Sequence, residues 1–121
     1  MSYTESDREL LELAAKAIGY VTTSSWNADR MKMAQQVIAL VVHKDGELVS
    51  TGWDPLNEDG PALRLAVTLR MVIHHAKKYV VVMDAEKETA HHEDVRDNGG
   101  DAFAATRRAI VRAAAEIGRA M

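Results

Sequence analysis

Two runs of β-forming residues, Val37-Ile38-Ala39-Leu40-Val41-Val42-His43 and Glu47-Leu48-Val49-Ser50-Thr51-Gly52-Trp53, are separated only by Lys44-Asp45-Gly46. Asp-Gly readily takes the positive φ angles that tight turns require, so this segment predicts an antiparallel hairpin. The first run is apolar almost throughout, which suits a central strand covered on both faces.

Helical patterns surround the hairpin. Ser6 and Glu9 form a capping box ahead of Leu10, Leu13, Ala14, Ala17 and Ile18, and Gly19 supplies a stop, which predicts a helix over 7–18. Residues 20–26 are rich in β-branched and hydroxyl side chains and read as a short edge strand or an ordered loop. Residues 27–36 hold good helix formers without a clean apolar stripe and read as a turn of helix or a loop. After Gly60-Pro61 a helix is predicted over 61–70, with Ala62, Leu65, Ala66 and Leu69 inward and Arg64 and Arg70 on the other side.

Met71-Val72-Ile73-His74-His75 and Tyr79-Val80-Val81-Val82-Met83-Asp84-Ala85 follow, joined by Ala76-Lys77-Lys78, and the second run is strongly β-forming. A weaker piece over 88–95 completes this sheet before Asn98-Gly99-Gly100 breaks it. Asp101 is a good N-cap for a closing helix over 102–117, whose face of Thr106, Ala109, Ile110, Ala113, Ala114 and Ile117 is narrow and Ala-rich. The order predicts one α+β domain over residues 1–121, a mainly antiparallel sheet of about four strands with three helices packed on it in a sandwich-like arrangement.

Composition removes whole classes of function. There is no cysteine, so disulfides, thiolate metal sites and thiol catalysis are excluded. No apolar run approaches the ~18–20 residues of a membrane span, and the acidic start does not read as a signal peptide, so a cytoplasmic protein without a membrane partner is expected. A net charge of -3 argues against a protein built to grip a nucleic-acid backbone. Only 5% of the residues are aromatic, leaving Ala, Leu, Val, Ile and Met to build the core, which favours pairing with a second copy in a homo-oligomer.

No dinucleotide fingerprint, phosphate loop, zinc-protease motif or nucleophile elbow occurs, so no catalytic residue is assigned and no cofactor is expected. His74-His75 and His91-His92 invite a metal reading. Neighbours on a strand point to opposite faces, however, so each pair offers one imidazole to a given site, and no metal is expected. The arginines Arg64, Arg70, Arg107 and Arg108 are the stronger candidates, since guanidinium forks suit phosphate, and a cleft shared between the two helices would hold a nucleotide-like anion. The competing reading is an ordinary solvated helix face, with Arg112 and Glu116 paired at i, i+4. Trp53 reads as the closure of the hairpin end of the core, and Trp26 as the exposed aromatic that stacks on a ligand. Met31, Met33 and Met71 read as core filler or a dimer surface.

Three blocks carry a resemblance. Trp53-Asp54-Pro55-Leu56, continuing to Asp59-Gly60-Pro61-Ala62-Leu63-Arg64-Leu65-Ala66-Val67, is similar to small proteins of tailed phages and prophages, as are the first helix from Asp7 and the closing helix from Ala104. The chain thus resembles the phage α-β-α sandwich domain family. The resemblance implies a sheet covered by helices, and it carries no catalytic residue. By analogy it implies an accessory protein in the host cytoplasm that binds host components, such as a sponge for nucleotide signals of antiviral defence. Joined to the residue reading, the expectation is a non-enzymatic protein that binds a small phosphate-bearing ligand through Arg64, Arg70, Arg107, Arg108 and Trp26. The alternatives are an interaction module that inhibits a host protein, through residues 27–36 or the closing helix, and a His-dependent metallohydrolase.

Overall fold

The computed structural model describes residues 6–31, 38–86 and 88–121. Helix α1 (Asp7–Ala17) begins as the capping box requires, with the Ser6 hydroxyl accepting from the Glu9 amide at 3.2 Å. Gly19, at φ +79°, closes it: the Gly19 amide donates to Lys16 O and the Tyr20 amide to Ala15 O, the paired bonds of a Schellman cap. Helix α2 (Ser25–Met31) is a short turn that accounts for the start of the ambiguous 27–36 segment. Residues 32–37, which include Met33 and Val37, lie outside the described residues.

The predicted hairpin forms from β1 (Leu40–Lys44) and β2 (Glu47–Trp53). Its two turn residues, Asp45 and Gly46, both have positive φ (52° and 80°), the geometry that matches strand twist. Leu40, Val41 and Val42 are all fully buried, as a doubly covered strand should be. On the free edge of β1, the Val21 and His43 amides exchange bonds with each other's carbonyls at 2.7 and 3.0 Å. Residues 20–24 are therefore an ordered loop holding one strand-like pair, and Ser25 and Trp26 open α2. Val41, next along, is satisfied by a side chain. Asn27 Nδ2 donates to Val41 O and Thr22 O, and Asn27 Oδ1 accepts from the Val41 amide at 2.8 Å, so a buried Asn replaces one rung of a strand.

Helix α3 (Asp59–Thr68) starts two residues before Pro61. The proline sits in the first turn, where amides have no helical acceptor, so it costs nothing. Ala62, Leu65 and Ala66 are buried as predicted. Three antiparallel strands follow: β3 (Val72–His75), β4 (Tyr79–Met83) and β5 (Ala90–Asp94), in the order β3-β4-β5. The weak 88–95 piece is thus a true strand. The α+β arrangement is the one the pattern predicts, but its five strands are divided between two sheets, and four α-helices are present among the described residues.

A 3-10 turn (Arg96–Asn98) leads into α4 (Ala102–Arg119), capped by Asp101, whose carboxylate accepts from the Phe103 and Ala104 amides. The closing helix is buried over far more than the predicted narrow face: Ala105, Val111, Ala115 and Gly118 are buried beside Ala109, Ile110, Ala113 and Ala114. The reason is its position, since α4 packs on α1, α3, β4 and β5 at once. Side chains of one carbon allow this. Near its end no side chain fits at all: a Cβ on Gly118 would lie 1.9 Å from Leu13 O and 3.4 Å from the Ala17 amide nitrogen. Helices α1 and α4 run side by side in the same direction, since Arg108 meets Asp7 at one end and Lys16 Nζ meets Met121 O at the other.

Gly118→Ala is expected to cost about 3 kcal/mol, because the obstruction is backbone that cannot turn aside. Gly60→Ala, in the first turn of α3 with open space around it, is expected to change stability by less than about 1 kcal/mol. Chemical denaturation of the two variants checks the contrast.

Candidate functional site

The arginines of α4 do not converge. Arg107 donates to Leu56 O at 2.9 Å and to Asp59 Oδ1 at 2.7 Å, fastening α4 to the loop and first turn of α3. Arg108 grips both oxygens of Asp7 at 3.1 and 3.2 Å, fastening α4 to α1. Consecutive helical residues point ~100° apart, which is why adjacent guanidiniums serve different neighbours. Arg112 pairs with Glu93 of β5, whose other oxygen accepts from Asn98 Nδ2 at 3.1 Å, rather than with Glu116. Glu116 pairs instead with Arg119.

Arg64 is exposed on α3. Arg70 sits at φ +55° in the position where a helix end favours glycine. Its amide donates to Val67 O and the Met71 amide to Ala66 O, repeating the cap that Gly19 makes on α1. Trp26 lies on α2, more than half exposed, whereas Trp53 is buried edge-to-face on Tyr20 with ring centroids 5.7 Å apart. Of the five predicted ligand residues, Arg107 alone borders a cavity described below, and its guanidinium is already engaged.

That cavity is a groove of about 420 Å³ between α3, β3 and the start of α4. Leu63, Ile73, Phe103 and Ile110 give it an apolar lining, with Asp59, His75, Thr106 and Arg107 among its polar groups. His75 Nε2 is 3.0 Å from Thr106 Oγ1, and that hydroxyl donates to Ala102 O at 2.7 Å. With its proton on the helix carbonyl, Oγ1 accepts from the imidazole, so the pair is a structural link with the hydroxyl facing away from a nucleophile's role.

The histidines divide across the three-stranded sheet. The register pairs His75 and Glu93 with Val80, and His91 with Val82, on the face toward α4, while His74 and His92 flank Val81 on the opposite face. Each dipeptide therefore contributes one imidazole to each side, and among the described residues no group of three potential ligands gathers.

A second cavity, of about 500 Å³, opens at the end of this sheet. Lys77 and Lys78 come from the β3–β4 connection, whose turn is closed by the Ala76 amide on Tyr79 O; Asp94 ends β5, and Val95, Arg96 and Gly100 come from beyond it. The Val95 amide donates to Lys78 O, and the Gly100 amide to Val95 O, drawing the two connections together. Gly99 and Gly100, at φ +71° and +76°, make the reversal possible. Among the described residues Lys77, Lys78 and Arg96 form no ion pair, whereas Arg8, Arg107, Arg108, Arg112 and Arg119 all do. Three cations beside the carboxylate of Asp94 give the described lining a net positive charge in an acidic chain.

Among known protein families, curated proteins and solved structures, the chain matches none. The cationic cavity therefore stands on its geometry. In the sequence Lys77 and Lys78 read as a connector, and Arg96 lies just before a break; only the pairing of Tyr79 with Asp94 brings them together. The available signal was the Lys-Lys doublet at a tight connection, with a Gly-Gly reversal following the partner strand.

Beside Arg112, His91 Nε2 is buried without a hydrogen-bond partner. Burial, and next the Arg112 charge, hold the imidazole below its ordinary value of 6.5, against weaker opposing effects of Glu116, Asp84 and Glu93. The folded state thus binds this proton less readily than the unfolded chain. Stability from His91 is fully present above pH 6.5 and is lost as the pH falls below it. Urea titrations from pH 7.5 to 5 are expected to show a steeper loss for the wild type than for His91→Gln. Arg70→Gly is expected to stabilise by about 1 kcal/mol, by relieving the left-handed backbone of a residue that carries a Cβ; thermal unfolding measures it.

Proposed function

We propose that this chain is a non-enzymatic binding protein for a small phosphate-bearing ligand, held at the cavity of Lys77, Lys78 and Arg96. The carrying observation is that these three cations, unpaired among the described residues, share one opening of about 500 Å³, a size typical of small-molecule sites. A guanidinium offers a bidentate fork to phosphate, and two ammonium groups add point charges beside it. The net charge of -3 supports a small anion over a long nucleic acid. The non-enzymatic reading draws on the division of the imidazoles and on the engaged Thr106 hydroxyl.

The wider setting, a phage accessory protein of the host cytoplasm that sequesters a nucleotide signal of antiviral defence, rests on the resemblance of the three helical blocks. Compatible with it, no helix among the described residues is long and apolar enough to cross a membrane. A second reading has its own observation. Leu63, Val67 and Phe103 are 62, 67 and 70% exposed, and two of them border the apolar groove, which favours a protein contact there, with a second copy or a host protein.

Calorimetric titration with pyrophosphate, nucleoside phosphates and cyclic dinucleotides tests the ligand reading. At least one is expected to bind, more weakly in high salt, and about tenfold or more weaker in Lys77→Ala/Arg96→Ala. Recovery of the ligand intact after denaturation separates binding from turnover. Absent heats across the panel, or affinity unchanged in the double variant, would overturn it.

A further inference from the structure

The outer face of the three-stranded sheet, turned away from α4, places two rings beside the cationic cavity. Tyr79 and His92 are diagonal neighbours on β4 and β5, with centroids 5.0 Å apart and planes inclined by 31°. Both reach solvent: Tyr79 is 36% exposed and the His92 side chain 54%. Between the rings and the cations stands Asp94. It pairs across the ladder with Tyr79, lies 3.5 Å from His92 Nε2 through Oδ1, and lines the cavity with Lys77, Lys78 and Arg96.

A carboxylate in this position is the informative feature. For a bare phosphate it is a repulsive neighbour, so a site for inorganic anions has no use for it. For a ligand whose phosphate is followed by a hydroxylated sugar, the same carboxylate accepts hydrogen bonds from the hydroxyls. An uncovered tilted ring pair beyond it supplies the flat apolar surface on which a base stacks. The order cations, carboxylate, rings corresponds to the order phosphate, ribose, base.

Resting on the ligand reading above, we infer that the site takes a ribonucleoside phosphate, with the phosphate on Lys77, Lys78 and Arg96, the ribose hydroxyls on Asp94 and the base on the Tyr79–His92 pair. The free nucleotide is the assigned source, because a net charge of -3 argues against a chain that grips the backbone of a longer strand.

The test compares a nucleoside 5′-monophosphate, its 2′-deoxy form, ribose 5-phosphate, pyrophosphate and a 5′-phosphorylated hexanucleotide, titrated against the full chain by calorimetry with NMR shifts as a second readout. The nucleotide is expected to bind about tenfold or more tightly than ribose 5-phosphate, the increment typical of one stacked base. Tyr79→Leu should abolish that advantage and Tyr79→Phe keep it, with His92→Leu as the second ring variant should Tyr79→Leu fail to fold. Asp94→Asn should strengthen pyrophosphate binding while reducing discrimination against the deoxy form. If the nucleotide, sugar phosphate and pyrophosphate bind alike, and only Lys77→Ala/Arg96→Ala weakens them, the nucleotide assignment is overturned and the phosphate site stands. Tighter binding of the hexanucleotide overturns the free-nucleotide source, and absence of all binding overturns both proposals.

Discussion

The approach of Gly118 to the carbonyl of Leu13 sets the geometry on which the rest of the molecule depends. With no room for a Cβ between them, α1 and α4 lie at backbone contact, and the alanines Ala14, Ala15, Ala109, Ala113, Ala114 and Ala115 close the remaining core around them. Close approach has a consequence for the whole fold. A helix with one-carbon side chains on most of its circumference can receive neighbours from several directions, so α4 meets α1 and α3 while also lying across β4 and β5. The low aromatic content follows the same logic, because a packing this tight leaves few sites for large rings.

Once backbone contact has fixed the helix pair, polar anchors at the rim set its orientation. Arg107, Arg108 and Arg112 each bind a different element, at α3, α1 and β5 respectively. Exposed ion pairs contribute little to stability individually, but here they fix direction: three forks on one helix are consistent with a single rotation of α4 about its axis. Asn27 does comparable work at the other sheet. By meeting both the amide and the carbonyl of Val41, it lets a residue of α2 end the ladder on β1 without leaving a buried strand edge unsatisfied.

Local signals carried most of the fold. The capping box at Ser6, the Asp45-Gly46 turn and the Asp101 cap are each decided by neighbours within a few residues, and each is where the pattern puts it. What sequence could not show depends on distant contacts. The breadth of the buried face on α4 follows from how many elements surround it, and an Ala-rich pattern looks the same whether it is covered on one side or three. The arginines illustrate the same limit at the site. Their spacing on α3 and α4 is compatible with a shared cleft, but whether a guanidinium is free depends on carboxylates far off in the chain, Asp7 being 101 positions from Arg108. Arg70 misleads for another reason: at φ +55° it ends a helix in the place of a glycine, which residue type alone does not reveal.

The division of the cations follows from that architecture. Arginines on the central helix α4 are drawn to acidic partners on several sides, whereas Lys77, Lys78 and Arg96 lie in connections past the end of the sheet, where, among the described lining residues, Asp94 brings a carboxylate and shares it with His92. The Val95–Lys78 and Gly100–Val95 backbone bonds gather these cations at one rim in the folded chain, whereas the unfolded chain disperses them. An anion held there binds the folded state in preference to the unfolded one, so on the proposed reading occupancy of the cavity and stability of the fold are thermodynamically coupled.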